Sequence, residues 1–169
     1  GCVQELKVFQ TSVELGMKRS QITFDISKVV DIERCSSYDK LIGATVKLLT
    51  FVKMLAHAVG RTLLNIPKFI DLNGNLRKQV EVAWIKVIQR KHYADLFKLT
   101  ASPEARVSEA MKGFFNEHRV FLDDDMNVLR VRTRLSESLH TFGTVCPILL
   151  PAKDRFTSIY IRKIHEDNG

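Results

Sequence analysis

Apolar residues recur at the spacing of an α-helix in three stretches of the chain, which cover residues 36–64, 76–97 and 102–116. The first stretch opens with Ser36 and Asp39, whose side chains can each accept a hydrogen bond from the other's backbone amide, as in a capping box. A serine, a proline and a glutamate open the third stretch, an order typical of a helix start. The pattern therefore predicts three helices, each with one buried face.

Beyond residue 116 the hydrophobic period becomes the two-residue period of a β-strand. Residues 120–122 and 128–135 predict the two strands of a β-hairpin. Asn127 lies just before the second strand and tolerates the left-handed backbone conformation that a tight turn needs. The aspartates at 123–125 are interpreted as part of this turn, because three consecutive side chains point in different directions and do not converge on a metal. No catalytic residue is therefore predicted.

The last part of the chain predicts a further strand and a helix. Residues 145–150 are apolar and are followed by Pro151, which ends a strand. Asp154 or Thr157 can cap a final helix that ends near His165. The expected fold class is α+β, a mainly helical part packed against a small antiparallel hairpin-and-strand element.

This reading divides the chain into four segments. They are an extended or linker segment at 1–34, a helical module at 35–116, the hairpin and strand at 117–151, and the final helix at 152–169, which we expect to open a further domain. The chain begins with Gly1 and stops four residues after His165. We therefore expect it to be a piece of a longer polypeptide.

Charge and cysteine content narrow the function classes. The chain has 26 lysines and arginines against 19 aspartates and glutamates, a net charge of +7 that favours polyanionic partners. Its three cysteines, Cys2, Cys35 and Cys146, are widely separated and odd in number, which is not the pattern of a disulfide framework and fits an intracellular, reducing compartment. Four basic or histidine residues interrupt the longest apolar run, 41–64, so no membrane span is predicted.

The second predicted strand carries a candidate binding site. In this strand three arginines, Arg130, Arg132 and Arg134, alternate with Leu129, Val131, Thr133 and Leu135. A two-residue period places the three guanidinium groups on one face and the apolar set on the other. Arginines about 7 Å apart along a strand can bind successive phosphates, so the row predicts a nucleic-acid contact. The alternative is a solvated face paired with nearby carboxylates.

The order of several motifs resembles that of one protein family. The motifs are residues 31–41, an extended segment and serine cap before a lysine-leucine helix; 81–89, a helix that begins Glu-Val-Ala-Trp-Ile; 121–135, the hairpin; 147–151, the strand between two prolines; and His165. Together, over roughly residues 29–169, they resemble the pol polyprotein of BEL/Pao-type long-terminal-repeat retrotransposons, in the segment that joins RNase H to the integrase.

This resemblance implies a non-catalytic connecting and nucleic-acid-binding module of a retroelement integrase, with DNA preferred over RNA. The residues expected to contact nucleic acid in such a module are Arg130, Arg132, Arg134, Arg162 and Lys163. The resemblance also implies that His165 is the first ligand of a zinc-binding domain whose other ligands lie beyond Gly169, so zinc is expected in a longer parent protein and no cofactor in this chain. Other polyprotein segments or integrase subunits are the expected protein partners, in the nucleus or in a cytoplasmic retroelement particle.

A second interpretation assigns the chain a protein-binding or structural function instead of nucleic-acid binding. The helical module can instead be a protein-interaction or structural spacer module, such as a domesticated retroelement remnant with a host partner. Dependence on salt separates the two readings, because phosphate binding weakens steeply as salt rises whereas an apolar interface does not.

Overall fold

The computed structural model describes residues 26–58, 75–135 and 141–169, and these residues form an α+β fold that is mainly helical, which confirms the predicted class. Its elements are helices α1 Tyr38–Ala58, α2 Leu76–His92, α3 Ala94–Ala101 and α4 Glu109–Glu117, strands β1 Val120–Asp123 and β2 Val128–Val131, and helices α5 Phe142–Val145 and α6 Arg155–Asn168. Most of the predicted linker at 1–34, the predicted end of the first helix at 59–64 and part of the predicted loop after 135 lie outside the described residues.

The larger hydrophobic core lies between α1, α2 and α6. Trp84 of α2 is fully buried, and its ring stacks on Phe156 of α6 with ring centroids 6.4 Å apart. The indole N–H donates to the Thr45 hydroxyl of α1 over 3.0 Å, so this buried polar group is satisfied. Tyr38 packs against both Phe156 and Tyr160. Helix α6 is therefore part of this core, and the structure does not set residues 152–169 apart as a unit of their own.

Residues 26–34 also join the larger core. They form two short 3₁₀ turns, Ile26–Lys28 and Ile32–Arg34, rather than an extended strand or linker. The first turn contacts α2 and buries Ile26, and the second contacts α6. The carbonyl of Cys35 accepts a hydrogen bond from Arg155 over 3.2 Å, which links this segment to the start of α6.

A smaller hydrophobic cluster lies between the hairpin and helices α3 and α4. Its buried members are Leu96 and Leu99 of α3, Val120 of β1 and Leu129 of β2. Apolar side chains of α4 pack against these four residues. The helical module thus covers one face of the hairpin.

The hairpin forms where it was predicted, and it has the predicted turn. Val120 pairs with Val131 and Asp123 with Val128, and Asn127 has the expected left-handed backbone with φ at 51°. The predicted alternation of buried and exposed residues fails within β2, because Val128, Leu129 and Arg130 are all buried, and the strand ends at Val131.

The strand predicted at 145–150 is only an irregular extended segment. It follows β2 through hydrogen bonds from Val131 to the Pro147 carbonyl, at 3.1 Å, and from Leu149 to the Leu129 carbonyl, at 3.0 Å. Ile148 makes one isolated bridge, opposite Arg130. Regular pairing stops because Val145 belongs to α5 and Pro147 has no N–H to donate.

Gln89 joins α2 to both extended segments. Its side chain is fully buried, and its amide nitrogen donates to the carbonyls of Leu129, at 2.8 Å, and Leu149, at 2.7 Å. Its amide oxygen accepts from the Leu129 N–H over 2.7 Å. Three hydrogen bonds from one buried side chain therefore hold β2 and the segment at 149 against α2.

The structure shifts two of the predicted helix starts. The first helix is capped by Ser37 rather than Ser36, because the Lys40 amide donates to the Ser37 hydroxyl over 3.4 Å. The third helix begins at Glu109, where Ser108 caps it. The predicted start at 102–104 was wrong, since these residues end α3 and form a turn.

The second predicted helix is divided in two, whereas the last one matches its predicted start. Tyr93, with φ −124° and ψ 30°, separates α2 from α3. Asp154 caps α6, as expected, by accepting from the Phe156 amide over 2.9 Å.

Candidate nucleic-acid interface

The three arginines predicted to form one exposed row have different environments. Arg130 is buried, and its Nε donates to the Asp123 carboxylate over 2.6 Å, with side-chain exposures of 6% and 8%. Its Nη1 donates to the Cys146 carbonyl over 2.7 Å. The prediction that Arg130 faces solvent and binds nucleic acid was therefore wrong, because the segment after α5 covers this part of the strand face. Leu135, predicted to be buried, is exposed.

Asp123 completes a small polar network at the end of the hairpin. Its Oδ1 accepts from the amides of Asp125, at 3.0 Å, and Met126, at 3.3 Å. Burial raises the pKa of this carboxyl group, but the hydrogen bonds from Arg130 and from the two amides outweigh burial and hold the pKa below its usual value. Residues 124–127 form the predicted turn, and the buried Asp123 carboxylate stabilises it by accepting from two of its amides.

A concave site lies at the open end of the hairpin, away from the turn. We call it the arginine cleft. It has a volume of about 360 Å³, and it is lined by residues 117–119 at the end of α4 and 131–134 at the end of β2. Because Val120 pairs with Val131, the residues just outside this pair come together from both strands. The pairing places Arg119 beside Arg132 and Arg134.

The guanidinium groups of the cleft are available to a ligand. Arg119, Arg132 and Arg134 are all exposed, and none makes an ion pair with a described residue. The Arg132 guanidinium lies over the Phe121 ring at 5.1 Å from its centroid, a cation–π contact that orients the group without neutralising it. Glu117 supplies the one carboxylate among the described residues that line the cleft. The arrangement is suited to bind an anion.

Arg119 was missed by the sequence reasoning. It lies outside both predicted strands, and its backbone has a positive φ of 47°, a conformation that costs an arginine about 1–2 kcal/mol. Such strain is often found at binding sites. The signal that could have found it is the hairpin register, since a pair at 120 and 131 brings 119 and 132 to the same end.

The other two predicted nucleic-acid contacts, Arg162 and Lys163, do not line the arginine cleft. Lys163 forms ion pairs with Asp167, at 2.6 Å, and with Asp39 of α1, at 3.3 Å. Hydrogen bonds to Asp167 and Asp39 raise the pKa of this lysine. Its charge is therefore already matched, whereas Arg162 is exposed on α6 and makes no ion pair with a described residue.

His165 lies exposed in the last turn of α6. Within the described ranges, no group of three or more histidine, cysteine or acidic side chains could hold a metal ion. The residues around His165 therefore do not fit a zinc site, which needs four ligands.

His92, at the end of α2, pairs with Asp154. Its Nε2 lies 2.8 Å from Oδ2 of Asp154, and Lys91 lies 3.5 Å from the same oxygen. Since Asp154 also caps α6, this cluster joins the end of α2 to the start of α6. Sequence reasoning had no local signal for a contact that spans 62 residues.

None of the helices in the described parts of the chain is long and apolar enough to cross a membrane.

Comparisons with known proteins add nothing to this geometry. No protein-family model matches the chain, and no curated protein or solved structure is significantly similar to it.

Proposed function

We propose that this chain is a non-catalytic connecting module of a retroelement integrase that binds nucleic acid, DNA in preference to RNA, through the arginine cleft. The observation that carries the binding proposal is the cleft itself, where Arg119, Arg132 and Arg134 face solvent without an ion-pair partner among the described residues. The retroelement part rests on the order of sequence motifs alone. It implies a location in the nucleus or in a cytoplasmic particle, with other polyprotein segments or integrase subunits as neighbours.

Arginine is well suited to this role. Its planar guanidinium can donate two parallel hydrogen bonds to one phosphate, and it stays charged at any physiological pH. The chain's net charge of +7 adds a long-range attraction to polyanions. Because three groups can neutralise about three phosphate charges, the plot of log K against log salt should lose roughly 2–3 units of slope when all three are removed.

The three consecutive aspartates at 123–125 support the non-catalytic part of the proposal. Asp123 is buried in an ion pair with Arg130, and the two aspartates that follow it are exposed in the turn. We propose His165 as a zinc ligand only for a longer parent protein, and no zinc-dependent step is assigned to this chain.

The test is to replace Arg119, Arg132 and Arg134 with glutamine and to measure the affinity for a short DNA duplex at several salt concentrations. A matched control removes the same charge elsewhere, with glutamine at the exposed residues Lys78, Arg90 and Arg106. We expect the cleft variant to lose most of its affinity and salt dependence and the control to lose much less. Equal losses would show that the cleft is not the binding site. No binding by the unaltered chain would overturn the proposal itself.

A second candidate function is a protein-interaction module. Phe51, Met54 and Leu55 lie within about one turn of α1 and are 62%, 66% and 48% exposed. Large apolar side chains grouped on a helix are typical of partner contacts. Binding to a protein that resists high salt and is lost in Phe51→Ser would favour this candidate, whereas binding to DNA that is lost at high salt favours the first.

A further inference from the structure

The shape of the arginine cleft limits what can enter it. Its volume of about 360 Å³ lies near the lower end of sites that enclose small ligands, which run from roughly 300 to 1,000 Å³. Its walls are the end of α4 and the end of β2, so the three arginines line a concave site from two elements. The phosphates inside a duplex lie on a convex surface, whereas a group at a strand end projects and can enter a hollow of this size.

The charge of the cleft matches a dianion. Three arginines and one glutamate line it, which leaves an excess of two positive charges. A phosphodiester inside a strand carries a single negative charge. A terminal phosphomonoester has a second pKa of about 6 and carries nearly two negative charges at neutral pH, with three oxygens that accept hydrogen bonds. The terminal group therefore fits the excess charge better than an internal phosphate does.

The side chains of the cleft offer little to a base. No phenylalanine, tyrosine or tryptophan is among the described residues that line it. Phe121, which lies close by, has one ring face covered by the guanidinium of Arg132. His118 is the one aromatic ring among the described lining residues, and it packs edge-to-face against Phe114 with ring centroids 4.3 Å apart. The three guanidinium groups dominate the lining, and contacts to phosphate carry no sequence information.

We propose that the arginine cleft binds the terminal phosphomonoester of a nucleic-acid strand, so that the module holds strand ends in preference to internal backbone. This inference rests on the proposed function, because it assumes that nucleic acid is the ligand of the cleft. Arg119 comes from the end of α4, whereas Arg132, oriented by Phe121, and Arg134 come from the end of β2.

The experiment compares duplexes of one sequence that differ only at their ends. One carries 5′-phosphates, a second carries 3′-phosphates, a third has only hydroxyl ends, and a fourth is closed by loops at both ends. We expect a phosphorylated duplex to bind roughly tenfold more tightly than the hydroxyl and closed duplexes, as one further set of charge-assisted hydrogen bonds would give. Free inorganic phosphate at millimolar concentration should weaken the binding of the phosphorylated duplexes and leave that of the hydroxyl and closed duplexes unchanged.

Variants connect this preference to the cleft. The preference should disappear in Arg134→Gln, a change at an exposed residue beyond the end of β2, and in the triple glutamine variant of the cleft. It should persist in the control with glutamine at Lys78, Arg90 and Arg106. Circular dichroism confirms that each variant is folded.

The outcomes separate this inference from the function on which it rests. Equal binding of all four duplexes, lost in the cleft variant, overturns the preference for ends and leaves nucleic-acid binding intact. A preference that survives in the cleft variant also overturns the inference. Tighter binding of a phosphoserine peptide than of a phosphorylated duplex overturns it in favour of a protein ligand. No binding of any duplex overturns both proposals.

Discussion

The buried pair of Arg130 and Asp123 gives the sharpest test of the structural reasoning. The sequence pattern predicts that Arg130 lies on an exposed face of the hairpin, whereas the structure buries it between Asp123 and the Cys146 carbonyl. We predict that Arg130→Met lowers the free energy of unfolding by about 3 kcal/mol. Removing one partner of a buried pair typically costs about 3–5 kcal/mol because the other charge stays buried. The lower value applies because Asp123 keeps two amide donors.

A double-mutant cycle isolates the interaction. Asp123→Asn should cost about as much as Arg130→Met, because it leaves a buried guanidinium with one carbonyl acceptor. The two changes together should cost about 1–3 kcal/mol less than the sum of the single effects, since each removes the penalty that the other creates. Arg134→Met is the matched control, and as an exposed change it should stay within about 0.5 kcal/mol of the unaltered protein.

The assay is urea denaturation followed by the fluorescence of Trp84, the single tryptophan, which is fully buried. Acid provides a second readout. The pKa of Asp123 is lower in the folded chain than its unfolded value of about 3.9, so the pair stabilises the fold above that pH. This contribution is lost as the pH falls through the lower, folded pKa, and Asp123→Asn should lack that part of the acid-induced loss. Additive single effects, or an Arg130→Met variant as stable as the Arg134→Met control, would refute the buried pair.

Three further predictions concern strain, a side-chain clamp and the core. Arg119→Gly should raise the free energy of unfolding by about 0.5–1 kcal/mol, because relief of the left-handed backbone strain outweighs the added entropy of the unfolded chain. The same change should weaken DNA binding. A drop in stability in urea denaturation would contradict this prediction. Gln89→Leu should lower the free energy of unfolding by about 2–3 kcal/mol, because buried backbone groups of Leu129 lose their hydrogen-bond partner. Hydrogen exchange at the Leu129 amide should also become faster. Unchanged exchange at that amide would exclude a clamp formed by the Gln89 side chain. Trp84→Phe should cost about 1–2 kcal/mol, measured by thermal unfolding, because the Thr45 hydroxyl loses its donor and the smaller ring leaves space; an unchanged melting temperature would count against it.

Local features of this protein were predictable from its sequence because they depend on neighbouring residues. The change of hydrophobic period marks the passage from helices to the hairpin, Asn127 takes the left-handed turn position, and Asp154 caps the last helix. Trp84 lies in the core, as its helical spacing indicates. Helix limits were less accurate, since Ser37 and Ser108 cap where other serines offered similar chemistry.

Contacts between distant residues were decided only by the tertiary structure. A two-residue period places Arg130 and Arg132 on the same face, but it cannot say that the segment around Cys146 covers one arginine and leaves the other exposed. Likewise, no local pattern shows that Gln89 binds two separate extended segments. The arginine cleft arises from the register of the hairpin, which brings Arg119 to Arg132. Burial and charge pairing depend on what packs against a face, and that is a property of the whole fold.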